Sequence, residues 1–98
     1  MKLDIQSIKG VVDKQRSILR DTYHVVRIGV FGSVSRGDYT SSSDVDMLVE
    51  LSQSIGLFQF IELEELLSRG IGRKVDLVTK KALKPSIREE ILQEVRYV

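Results

Sequence analysis

The stretch Phe31-Gly32-Ser33-Val34-Ser35-Arg36-Gly37-Asp38, followed by Ser43-Asp44-Val45-Asp46, decides how the rest of the chain is read. Immediately before it, Val25-Val26-Arg27-Ile28-Gly29-Val30-Phe31 is a β-branched run bounded by polar residues and a Gly-Ser turn, which predicts a largely buried strand. At its far end, Asp44 to Leu51 alternates. Val45, Met47 and Val49 fall on one face and Asp44, Asp46, Leu48 and Glu50 on the other, which predicts a second strand. Gly32 to Ser43, rich in Gly and Ser, has room for only a short helical turn after Ser33 and is the loop expected to carry function. It is too short for a long crossover helix, so the two strands are expected to pair antiparallel.

Working outward, Ile5, Ile8, Val11, Val12, Ile18 and Leu19 have a mostly helical spacing, with Asp4 placed to cap the first turn. One helix is expected from Asp4 to about Arg20, with Gly10 weakening its middle. Leu57 to Arg69 carries an apolar stripe among Glu62, Glu64 and Glu65, an amphipathic helix for which Gly70 is the natural terminator. Lys74 to Thr79 reads as a short third strand. Pro85 can open a last helix, which Ile87, Ile91, Leu92 and Val95 extend to the C-terminus. The order predicts an α/β (α+β) fold in which helices flank a small mixed sheet of three or four strands.

With 98 residues and 42% hydrophobic side chains, the chain can bury one modest core, and a single domain over 1–98 is the expectation. There is no cysteine, hence no disulfide and no thiolate metal site. Nothing reads as a signal peptide, and no apolar run approaches the roughly 20 residues of a membrane span. A cytoplasmic location is inferred. Net charge is +1, from 15 basic and 14 acidic residues, so bulk electrostatics give no case for direct nucleic-acid binding. So small a domain leaves apolar surface exposed, which makes a homo-oligomer conceivable.

Residues two apart on a strand point to the same side, with Cα atoms about 6.5 Å apart, so Asp44 and Asp46 can converge on one site. If the strand holding Asp76 pairs beside theirs, with Val75 and Leu77 facing the core, Asp76 joins them. Three close carboxylates repel one another unless some protonate or a cation lies between them. Oxygen ligands without His or Cys favour Mg²⁺ or Mn²⁺ over zinc. Two such ions roughly 3.5 to 4 Å apart suit phosphoryl chemistry, holding the attacking and leaving oxygens of an in-line displacement. Gly32 lets backbone approach phosphates, Ser33 offers a hydroxyl and an amide, and Arg36 can reach triphosphate oxygens or anchor the loop. Glu50 is a runner-up ligand, Asp38 reads as a loop cap, and His24 reads as a surface or capping residue.

Gly32-Ser33, Arg36-Gly37-Asp38 and Ser43-Asp44-Val45-Asp46 together resemble the minimal nucleotidyltransferases of the DNA polymerase β superfamily, whose third Asp lies on a later strand, here Asp76. The resemblance covers roughly residues 25 to 80 and implies a mixed sheet of the polymerase β palm type. It implies that Asp44 and Asp46 bridge two metal ions. Asp76, nearer the attacking hydroxyl, would complete one metal's shell and assist deprotonation. Minimal members of this length resemble the antitoxin half of toxin–antitoxin pairs whose partner is a helical HEPN ribonuclease. That likeness implies transfer of AMP from ATP to a tyrosine hydroxyl of the partner, with release of pyrophosphate. Two other readings stand beside it. One is a silent antitoxin that neutralises by complex formation alone. The other is nucleotidyl transfer to a small hydroxylated molecule, against which the short length argues.

Overall fold

The computed structural model describes residues 3–98. Its centre is the antiparallel pair of β1 (Val25–Phe31) and β2 (Val45–Leu51), which places Phe31 opposite Asp46 and Gly29 opposite Leu48. The expected antiparallel pairing of these strands is what forms. On the other side of β2, β3 (Val75–Thr79) runs parallel to it, and the order across the sheet is β3-β2-β1-β4. The sheet is therefore mixed and four-stranded, flanked by helices, as the alternation predicts.

One face of the sheet carries the main core. Ile28 and Val30 of β1, Val45, Met47 and Val49 of β2, and Val75 and Leu77 of β3 are buried there. They share the cluster with Ile8 and Val12 of α1 (Ile5–Lys14), Leu19 of α2 (Arg16–Asp21), and Leu63, Leu67 and Ile71 of α4 (Leu57–Ile71). Side-chain alternation then turns the intervening residues, Asp46 and Asp76 among them, to the opposite face. There α3 (Gly32–Arg36) and α5 (Pro85–Glu94) stand beside one another. No helix among the described residues is long and apolar enough to cross a membrane.

Three boundaries differ from the sequence expectation, each for a visible reason. The first helix breaks at Gln15, which leaves the helical region (φ −109°, ψ 8°) where α1 passes Gly70 of α4. Gly70 does not end α4. A Cβ there would come within 2.7 Å of Val11 Cγ1, so this glycine serves the close approach of two helices, and the left-handed Gly72 (φ 79°) is the terminator. The last helix stops at Glu94. Val95 turns extended, and Arg96–Tyr97 become β4, an edge strand antiparallel to Gly29 and Val30. Gly29 permits this, because a Cβ on it would meet Val95 Cγ2 at 2.6 Å.

Candidate active site

The loop after β1 starts with a conformation that only glycine adopts cheaply. Gly32 has φ +72°, and a Cβ on it would overlap the Asp46 carboxylate at Oδ2. Backbone and acid are thus in direct contact, across the β1–β2 register that sets Phe31 beside Asp46. The short helix α3 follows and closes on a second left-handed glycine, Gly37 (φ 84°), whose amide donates to Ser33 O at 2.9 Å. Arg36, in the last turn, reaches Asp38 (Nε to Oδ2, 3.2 Å) and Glu94 (Nη1 to each carboxylate oxygen, 3.5 Å). The Asp38 hydrogen bond, followed by its charge, holds the guanidinium above its ordinary pKa.

Loop residues 38–44 do not hang free. Arg73, just before β3, donates from Nη2 to Thr40 O at 2.5 Å and Ser43 O at 2.8 Å, and its guanidinium lies 5.9 Å from the Tyr39 ring centroid. Thr40 N–H donates to Ser43 Oγ at 2.9 Å. The residue delivering Asp44 is therefore clamped from the β3 side. Asp44 itself is exposed and faces Lys74 Nζ at 3.8 Å.

Asp46 and Asp76 are direct partners across the parallel β2–β3 pair. Helix α4 pins the strand on both sides of Asp76: Val75 N–H donates to Ser68 Oγ at 3.0 Å and Leu77 N–H to Glu64 Oε2 at 2.9 Å. These bonds satisfy amides on the outer edge of β3, which would otherwise be open. Burial pushes the Asp46 carboxyl above the usual aspartate range. The charges of Asp76 and then Asp44 push it the same way, Arg36 opposes them, and Glu94 adds to the rise. Such mutual repulsion is what a hard cation would relieve, and the donors on offer are all oxygens, the ligand class that Mg²⁺ and Mn²⁺ take. Among the described residues, no three acidic, histidine or cysteine side chains stand grouped as a metal site.

The structure thus brings Gly32, Ser33, Arg36 and Asp46 to one recess of about 340 Å³. Asp76 stands beside Asp46 on the sheet, and Asp44 lies two residues before it. Glu50, the runner-up, is occupied elsewhere, paired with Arg27 (3.4 Å) and Lys80 (3.5 Å). His24 serves as a left-handed turn residue (φ 59°) between α2 and β1. Sequence reasoning missed Glu94. Its Oε1 accepts from Gly32 N–H at 2.7 Å, and its backbone carbonyl accepts from Ser35 Oγ at 2.7 Å. A glutamate on an amphipathic helix reads as solvent-facing, and only the turn into β4 at Val95 carries it inward.

Comparison with known proteins agrees with this geometry. The nucleotidyltransferase domain family matches residues 12–98. Protein adenylyltransferase MntA of Thermococcus cleftensis is 43% identical over 96 residues, covering 98% of this chain and 97% of the relative. A solved structure designated a minimal nucleotidyltransferase superposes with a TM-score of 0.72 at 31% identity, covering 91% of this chain and 93% of the other. A chain from a crystal structure of a toxin–antitoxin pair containing MntA gives a TM-score of 0.69 at 25% identity, over 88% of this chain and 69% of its own length. With the Gly-Ser turn packed on Asp46 and Asp76 in register beside it, this chain belongs to the nucleotidyltransferase family, as one of its minimal members.

Proposed function

We propose that the chain is a Mg²⁺-dependent protein adenylyltransferase that transfers AMP from ATP to a tyrosine hydroxyl of a HEPN-type toxin, as the antitoxin of the pair. The observation that carries the reading is the in-register placement of Asp46 and Asp76 across β2 and β3, with the Gly32 backbone against Asp46. The relative named a protein adenylyltransferase and the solved toxin–antitoxin pair support the acceptor class. Residues 1–98 act as one nucleotidyltransferase unit.

In this reading Gly32, Ser33 and Arg36 hold the triphosphate, so that its α-phosphorus faces the acceptor. Asp44, Asp46 and Asp76 would hold the divalent ions. The bound ions supply charge neutralisation at the phosphates and the leaving pyrophosphate. Asp76, exposed beside Asp46, takes the proton of the tyrosine hydroxyl as its oxygen bonds to the α-phosphorus. The bond from that phosphorus to the α,β-bridging oxygen breaks, and pyrophosphate departs with the electron pair.

Transfer of label from α-labelled ATP to the partner, dependent on Mg²⁺ or Mn²⁺ and abolished by Asp44→Asn with Asp46→Asn, is the expected result. No labelled partner, with the toxin still neutralised, removes the catalytic claim. One observation favours a second reading, neutralisation by binding alone: Leu57 and Phe58 at the start of α4 are 72% and 81% exposed, an apolar edge suited to a protein partner. Full neutralisation by the double Asn variant would select that reading.

A further inference from the structure

We propose that the Glu94 carboxylate is an internal anion that occupies the phosphate-binding turn of the empty enzyme and is displaced by the incoming triphosphate, so that filling the site releases the junction of α5 and β4. The inference rests on the reading of Gly32, Ser33 and Arg36 as the phosphate turn.

Glu94 engages two of the groups which that reading assigns to phosphate. Its Oε1 accepts the Gly32 N–H at 2.7 Å, and both of its oxygens lie 3.5 Å from Arg36 Nη1. Its side chain is only 25% exposed, in the recess that also holds Ser33, Asp46 and Glu90. An amide hydrogen serves one strong acceptor at a time, so carboxylate and phosphate compete for Gly32. A polyanion entering a recess lined by Asp46, Glu90 and Glu94, with Arg36 as its one cation among the described residues, meets like charge that withdrawal of Glu94 lowers.

The element bearing Glu94 is built to let go. Helix α5 has no buried residue, whereas α4 buries three. Glu94 is the last residue of α5, and the strand beyond it is two residues long. This end is fastened by the Glu94 carboxylate on Gly32 and Arg36, its carbonyl on Ser35 Oγ and Val98 N–H donating to Ile28 O at 2.9 Å, and beyond Glu94 by the pairing of β4 with β1, the Arg27 guanidinium over Tyr97 and Val98 against the core. Because α5 itself buries no side chain, its last turn can shift without opening the main core.

A tethered competitor reduces apparent affinity by the fraction of molecules whose site is free. If Glu94 fills the turn in about 80–90% of molecules, Glu94→Gln, which keeps an acceptor but not the charge, tightens nucleotide binding roughly five- to tenfold. The measurement is calorimetric titration of the full chain with Mg²⁺ and a non-hydrolysable ATP analogue, wild type against E94Q. In parallel, hydrogen exchange on the wild type should show the analogue slowing exchange at Gly32 and speeding it at Val95 and Val98. Unchanged or weaker binding by E94Q, or slower exchange across 91–98 on adding nucleotide, overturns the inference while leaving the phosphate turn in place. A wild type that binds no triphosphate overturns both. A glutamate that only braces the fold would lower the melting temperature of E94Q without tightening binding, which also counts against displacement.

Discussion

Gly32→Ala and Gly37→Ala form a matched pair that isolates the contact between the turn and Asp46. Both glycines have φ in the left-handed region, +72° and +84°, so both variants bear the same backbone cost, about 1–2 kcal/mol. They differ in what the new methyl meets. Around Gly37 nothing lies within 4 Å, whereas at Gly32 the Cβ overlaps Asp46 Oδ2 and that carboxylate must rotate away. Forcing the side chain off its rotamer adds about 0.5–1.5 kcal/mol. In a domain of this size that gap corresponds to a melting temperature for Gly32→Ala roughly 2–12 °C below that of Gly37→Ala. The consequence for chemistry is larger. Displacing a carboxylate that positions the reacting groups by about 1 Å costs on the order of a hundredfold in rate, so, if Asp46 holds the metal as proposed, Gly32→Ala should lose nucleotidyl transfer while Gly37→Ala retains most of it. Differential scanning fluorimetry and the labelled-ATP assay on the two variants check both arms. Equal melting temperatures together with full activity in Gly32→Ala would refute the claim that this glycine exists to seat Asp46.

The remaining predictions concern charge and positioning. Asp46 has a folded-state pKa above the ordinary 3.8, so its contribution to stability is fully present below that value and is lost as pH rises through the folded pKa. Without divalent ions, acidification from neutral pH toward 4 should therefore offset part of the usual acid destabilisation. Asp46→Asn should melt higher than wild type at pH 7 and lose that effect, as thermal melts in chelator across pH 4–7 will show. Arg73→Ala removes two hydrogen bonds to the carbonyls of Thr40 and Ser43, a loss of about 1–3 kcal/mol, and loosens the segment that delivers Asp44. Its rate should fall more than its nucleotide affinity, and steady-state kinetics separate the two. Glu64→Ala frees the Leu77 amide next to Asp76, so faster hydrogen exchange at Leu77 should accompany slower transfer, with triphosphate affinity little changed.

What could be read in advance follows from the range over which each interaction acts. The β1–β2 pair, the Gly-Ser turn and the two acids at 44 and 46 lie within fewer than thirty residues, and strand periodicity alone puts the two acids on one face. Asp76 was legible one step further, because Val75 and Leu77 could face the core only if Asp76 faced away. Gly70 and Gly72 show where local rules stop. Both are glycines at the end of one helix, yet which one terminates it depends on Val11, some sixty residues earlier in the chain. The stretch Val95-Arg96-Tyr97-Val98 misled for a related reason. Val95 continues the apolar spacing of α5, but the open edge of β1 at Gly29, together with the Arg27 guanidinium 3.5 Å from the Tyr97 ring centroid, draws the segment into the sheet.

That last exchange, strand for helix, is also what creates the charge balance of the site. Had α5 run on to the C-terminus, Glu94 would sit mid-helix; because the chain turns extended at Val95, Glu94 becomes a helix end held against Gly32 and Arg36. A fourth carboxylate then joins Asp44, Asp46 and Asp76 at the site, where Arg36 and Lys74 are the cations at hand; burial first, and then these negative neighbours, raise the pKa of Asp46. An arrangement so rich in negative charge is poorly matched to its own side chains. On the proposed reading, divalent cations would offset that charge, and the triphosphate they accompany would take over the donors that Glu94 holds. Metal and nucleotide should therefore bind with positive coupling. Glu94→Gln should weaken that coupling, since it removes one of the charges the ions compensate. Titrating the ATP analogue at low and saturating Mg²⁺, in wild type and E94Q, measures it directly: an identical metal-dependent gain in affinity for the two proteins would show that Glu94 stands outside the charge balance of the site.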